Sequence, residues 1–198
     1  REYQLEAEMM QIFMAAGSRW PAYPSIVGSG DNGCILHYTR NDDVIEDGEL
    51  VLIDAGCELD YYASDITRTF PSNGRFSEPQ RALYQLVLDA QYAAIEATKP
   101  GNHWNQPHEA AVKVLTAGLV ELGLLSGEVD ELIESLAYRQ FYMHKTGHWL
   151  GMDVHDVGEY RVDGEWRTLA PGMVLTIEPG IYVAPDDESV DEKWRGIG

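Results

Sequence analysis

Two short apolar β-type runs, Val51-Leu52-Ile53 and Ile66-Thr67-Arg68-Thr69-Phe70, flank a polar connection, and each meets it at an aspartate, Asp54 or Asp65. Runs of branched and aromatic residues joined by a short polar stretch predict a β-hairpin. A two-residue turn at Leu59-Asp60 would set Asp54 directly opposite Asp65. Directly opposed side chains lie roughly 5 Å apart at Cβ, and like charges so placed are destabilising unless a cation lies between them. A divalent ion removes that cost. Oxygen-rich carboxylate sites suit hard or borderline ions such as manganese, and a pair of metals about 3.5 to 4 Å apart is a known hydrolytic device. Two aspartates alone also fit a solvated hairpin, so other ligands must decide.

Three of the six histidines fall in Met143-His144-Lys145-Thr146-Gly147-His148-Trp149-Leu150-Gly151-Met152-Asp153-Val154-His155-Asp156. Histidine serves both as a metal ligand and as a general acid or base near neutral pH. His144 and His148 have the separation of two zinc ligands on one helix. No glutamate follows His144, however, and Gly147 interrupts the segment, so the helical zinc-protease motif is absent. The segment reads as loop and strand. Further on, Gly172-Met173-Val174-Leu175-Thr176-Ile177-Glu178-Pro179-Gly180-Ile181-Tyr182-Val183 is a β-rich run broken by a glutamate and then Pro-Gly. A carboxylate at the end of an apolar strand turns to water or meets a cation. Asp54, Asp65, the histidine cluster and Glu178 together make a set of hard-metal ligands.

The scaffold is legible in outline. Residues 2 to 16 carry an amphipathic helical pattern through Tyr3, Leu5, Met9, Ile12, Phe13 and Ala16. Ser77 with Gln80 makes a capping-box start for a helix to about Thr98, a third helix spans 106 to 122 and ends at Gly123, and a fourth covers 127 to 138. Strands are expected near 24 to 28, 34 to 38, 50 to 55, 61 to 70 and 173 to 183. Helices with antiparallel strands give an α+β chain, and its 198 residues suit a single domain. A net charge of −19 opposes binding to nucleic acid or anionic membranes. Two cysteines, Cys34 and Cys57, read as reduced thiols of a cytoplasmic protein. No apolar run reaches the roughly 18 residues that a membrane helix needs.

The segments Val27-Gly28-Ser29-Gly30-Asp31-Asn32-Gly33-Cys34-Ile35-Leu36-His37-Tyr38, Ile53-Asp54-Ala55-Gly56, Ser64-Asp65-Ile66-Thr67-Arg68-Thr69-Phe70, Gly147-His148-Trp149-Leu150-Gly151-Met152-Asp153-Val154-His155-Asp156 and Thr176-Ile177-Glu178-Pro179-Gly180 resemble the catalytic domain of Xaa-Pro aminopeptidase, also called aminopeptidase P. The resemblance covers nearly the whole chain. It implies the pita-bread fold, with two pseudo-symmetric halves. It implies two divalent metals, manganese being expected, held by Asp54, Asp65, His148 and Glu178, with Asp65 and one glutamate bridging. His37, His144 and His155 would line the substrate site and Glu178 would shuttle a proton. The implied reaction is attack of a metal-bound hydroxide that releases an N-terminal residue preceding proline. The family's fifth ligand, a glutamate, would follow Arg195-Gly196-Ile197-Gly198, and its amino-terminal domain would precede Arg1. The expectation is therefore a chain truncated at both ends, with reduced metal occupancy, weak or no activity, and a possible homo-oligomer in the full-length protein. Xaa-Pro dipeptidase and a non-catalytic pita-bread binding domain are the alternatives; methionine aminopeptidase fits its local motifs less well.

Overall fold

The computed structural model describes residues 1–198. The chain forms two compact units, one made of Arg1–Arg81, Leu150–Asp156 and Tyr182–Gly198, the other of Ala82–Trp149 and Val157–Ile181. Helices and antiparallel strands make it an α+β chain, as the pattern predicts.

The first unit begins with α1 (Glu2–Ala15), where the sequence predicts a helix. Its expected apolar stripe is only half used: Tyr3 and Ile12 are exposed, and the one wholly buried residue is Glu2. Six strands follow: β1 (Trp20–Pro21), β2 (Ile26–Ser29), β3 (Leu50–Ala55), β4 (Cys57–Leu59), β5 (Tyr62–Ala63) and β6 (Ile66–Pro71). They pair antiparallel in two sheets ordered β1-β4-β5 and β2-β3-β6. Every residue of β2 is buried, and Val27 and Val51 anchor the core of that sheet.

The expected hairpin forms in a different register. Leu59 pairs with Tyr62, so the turn residues are Asp60 and Tyr61, with φ of 51° and 66°. Two consecutive left-handed residues make the turn whose twist matches a hairpin, a position where tyrosine is unusual. The slip sets Asp54 opposite Thr67 rather than opposite Asp65. Asp65 lies on the diagonal, a same-face neighbour whose side chain is still within reach. Gly56 permits the crossing, because a Cβ there would overlap the carbonyl oxygen of Ser64. The strand expected at 34 to 38 does not form. Gly30–Cys34 is a 3-10 helix, and His37 is left-handed at φ 57°, which no strand accommodates.

In the second region of sequence, α2 (Glu78–Ala97) begins with the predicted capping box. The Ser77 amide donates to Gln80 Oε1 at 2.9 Å, and the Gln80 amide lies 3.4 Å from Ser77 Oγ. α3 (Gln106–Glu121) buries the stripe Pro107, Ala111, Val112, Leu115, Thr116 and Leu119, and stops at Gly123, which has φ 76°. α4 (Val129–Glu134) is shorter than the expected 127 to 138, because Leu136 turns left-handed at φ 60° before a 3-10 turn at Ala137–Gln140. β7 (Arg161–Val162) and β8 (Glu165–Trp166) form a small hairpin.

The run 173 to 183 is extended but is not the expected strand. It pairs with the histidine segment through one bridge, Trp149 with Leu175, and through amide bonds from Thr176 to the His148 carbonyl and from Glu178 to the Thr146 carbonyl. The returning donor is diverted: the His148 amide donates to Thr176 Oγ1 at 3.0 Å instead of to a carbonyl. A side chain that captures a ladder donor leaves the pairing one-sided. No helix is long and apolar enough to cross a membrane.

Candidate metal centre

Asp54 is the penultimate residue of β3 and Asp65 immediately precedes β6. Both are half-buried, and both meet the hydroxyl of Tyr23, at 2.5 Å for Asp54 Oδ1 and 3.0 Å for Asp65 Oδ1. Burial, then Asp54 and Asp65, pushes the Tyr23 phenol far above its ordinary range, so its proton stays on. One shared proton lessens the repulsion of two carboxylates without cancelling it. Oxygen donors so paired fit a hard divalent cation.

In the second unit His148 Nε2 lies 3.1 Å from Glu178 Oε1. The other ring nitrogen, Nδ1, is 2.8 Å from the Trp149 carbonyl, which can only accept, so Nδ1 carries the proton. Nε2 is then the atom that faces Glu178: with a proton between them the two groups attract, and with that proton displaced by an ion Nε2 can act as a ligand, as in metal-ligating histidines that backbone carbonyls orient. Thr176 fixes the pair from below: its Oγ1 accepts the His148 amide and donates to Glu178 Oε1 at 2.7 Å. Gly147 lets the two segments approach, since a Cβ there would overlap the Thr176 carbonyl oxygen.

The structure thus draws Asp54 to Asp65 within one unit and His148 to Glu178 within the other. Of the remaining expected site residues, His37 and His155 are exposed residues of the first unit. His144 belongs to the second, with Nδ1 donating to the Lys145 carbonyl at 2.7 Å and its ring edge-on to Tyr142. Three contributors escape the sequence reading. Tyr23 lies outside any motif. Thr176 stands two residues before Glu178, the spacing that puts both on one face of an extended segment, and that signal was available. His108 on α3 joins Thr146 Oγ1 at 2.8 Å, which in turn meets the Tyr142 hydroxyl at 2.6 Å. Burial, together with the charges of Lys145, His144 and Arg139, lowers the His108 pKa to about 4. Both cysteines are free thiols, and burial with nearby Asp31 pushes Cys34 up to about 12.

With this geometry in place, similarity to known proteins is informative. The Xaa-Pro aminopeptidase of Haemophilus influenzae is 56% identical over 197 residues, which is 100% of this chain and 45% of that protein. The Pseudomonas aeruginosa aminopeptidase PepP structure superposes with a TM-score of 0.99 at 66% identity, covering 100% of this chain and 45% of that one. A zinc-substituted Escherichia coli aminopeptidase P in complex with product gives a TM-score of 0.96 at 54% identity, covering 100% and 44%. The chain therefore has the expected pita-bread fold and spans less than half the length of these relatives. The description of metallopeptidase family M24 matches residues 1–198, the whole length, and the chain belongs to that family.

Proposed function

We propose that Asp54, Asp65, His148 and Glu178 hold two divalent ions, manganese by expectation. On this reading residues 1–198 are a single cytoplasmic catalytic domain that releases an N-terminal residue from peptides with proline second. The observation that carries it is the pairing within each unit: carboxylate with carboxylate around Tyr23, and imidazole with carboxylate above Thr176. When bound, such metals lower the pKa of water and polarise a carbonyl oxygen. The chain's own groups supply the rest. Glu178 Oε1 is oriented by Thr176 and His148, which leaves Oε2 to take a proton from the attacking water and return it to the leaving amine. His144 and His155 hydrogen-bond the substrate carbonyl or the tetrahedral intermediate, and His37 lines the same site.

The test compares a tripeptide with proline second, its alanine counterpart, and an Xaa-Pro dipeptide, with bound metal measured in parallel. Preference for the proline tripeptide supports the reading; preference for the dipeptide, or indifference to proline, overturns it. Replacing His155 with alanine should lower turnover far more than metal content, and equal loss of both would count against its role.

A further inference from the structure

Glu2 is an acid placed where acids are rarely found, wholly buried in a helix whose other side chains are half-buried or exposed. Its Oε1 accepts from the Ser29 amide at 2.8 Å, from Ser29 Oγ at 2.9 Å and from Asn32 Nδ2 at 3.1 Å. Its Oε2 accepts from the Tyr38 hydroxyl at 2.8 Å and from the Asp43 amide at 3.0 Å. Its own amide donates to the Asp43 carbonyl. Burial pushes this carboxyl up, but the bonds from Ser29, Asp43, Tyr38 and Asn32 outweigh it and hold the group below its ordinary value. An anion with this many donors stays ionised although desolvated.

These donors bracket one loop. Ser29 ends β2, Asn32 lies in the 3-10 turn, Tyr38 follows His37, and Asp43 closes the segment. His37 sits inside the bracket with a left-handed backbone at φ 57°, a conformation that residues with a side chain rarely adopt. Such a conformation persists where its surroundings over-determine it. The His37 ring is exposed, so its position is set by the backbone, and the neighbouring backbone is tied to Glu2 through Tyr38.

We propose that Glu2 is a positioning residue for His37, holding the loop from Ser29 to Asp43 in the shape that presents the imidazole. Its functional part rests on the assignment of His37 to the substrate site. The test combines amide hydrogen exchange over 30 to 43, referenced to β3, with the imidazole NMR cross-peak of His37. In Glu2→Ala, exchange in the loop should rise at least tenfold more than in β3, and the His37 signal should move to its random-coil position while those of His103 and His108 stay. Glu2→Gln keeps an acceptor for Ser29 and Asn32 but sets an amide against the Asp43 amide, so it should restore part of both signals. Tyr38→Phe, the mildest change, should move the His37 signal with a smaller rise in exchange. If Glu2→Ala does not fold, the other two variants decide by the same readouts. An unmoved His37 signal, or exchange that rises evenly across the unit, overturns the proposal. In hydrolysis of an Xaa-Pro peptide, Glu2→Gln added to His37→Ala should cause no further loss, and multiplied losses count against it. Undiminished hydrolysis by His37→Ala would instead remove His37 from the substrate site, leaving the positioning role to be judged by exchange and spectra.

Discussion

The two ligand pairs are built in opposite ways. Asp54 and Asp65 are like charges at the end of a regular ladder, Asp54 within β3 and Asp65 just before β6, and are drawn together by one phenol proton from Tyr23. His148 and Glu178 are complementary groups carried by a one-sided pairing that Thr176 interrupts. A continuous ladder fixes positions by backbone alone and can hold a repulsive pair. Where the ladder is broken, the pair must contribute to its own placement. The shared device is a glycine, Gly56 in one case and Gly147 in the other, each lying against a carbonyl oxygen of the opposing segment.

The largest expected effect separates the pairs by sign. Asp65→Ala and Glu178→Ala should each weaken metal binding by roughly 1000-fold, about 4 kcal/mol, measured by calorimetry. In the metal-free protein, however, Asp54→Asn should raise the thermal midpoint by relieving a like-charge contact, whereas His148→Ala should lower it. Equal shifts of one sign would erase the distinction between a repulsive and an attractive pair.

Next come the glycines. Gly56→Ala and Gly147→Ala remove no ligand, yet each forces a Cβ onto backbone that cannot swing aside. Each should cost about 3 kcal/mol of stability by denaturant unfolding. Gly56→Ala should be the more damaging, because a regular ladder relaxes less than an interrupted one. The reverse order would mean that Thr176 holds its segment more rigidly than the ladder does.

How much of this was readable follows from the same contrast. The strand that carries Asp54 and the one that Asp65 precedes are regular, so period and composition locate both aspartates. The register was missed because Asp60-Tyr61 adopts a turn that ordinarily calls for glycine, and nothing local marks a left-handed tyrosine. Helix ends were legible where one residue decides them, as at Ser77 and Gly123. The expected strands at 34 to 38 and 173 to 183 do not form, for tertiary reasons: Glu2 reaches across sequence to fix the first segment, and in the second Thr176 captures the His148 amide that a ladder would need. The ligands themselves were visible through motif, but Tyr23 and His108 enter only when distant segments meet.

His108 offers a smaller effect that depends on pH. Its folded-state pKa of about 4 lies below the 6.5 of a free histidine, so the unfolded chain binds a proton that the folded chain refuses. The neutral ring costs nothing above pH 6.5; as pH falls from there to about 4, stability should drop, by about 2 kcal/mol after allowing for solvent screening. His108→Gln should flatten that window in urea unfolding at a series of pH values. An unchanged slope would place the proton uptake elsewhere.

The finest distinction lies in the two hydroxyls. Tyr23 donates toward oxygens of both aspartates that a metal would also claim, so its proton and the ion compete. Tyr23→Phe should therefore destabilise the metal-free protein by about 1 kcal/mol, the net worth of one hydrogen bond, and by linkage tighten metal binding about fivefold. Thr176 does not compete: it orients Glu178 Oε1 and satisfies the His148 amide whether or not an ion is bound. Thr176→Val should cost a similar 1 kcal/mol in the metal-free protein but weaken metal binding about tenfold, as loss of an orienting partner does. Unfolding and metal titration of both variants give four numbers, and the reading requires metal affinity to move in opposite directions. If both variants bind metal more weakly, Tyr23 is an orienting group like Thr176, and the aspartate pair would need a cation no more than the histidine pair does.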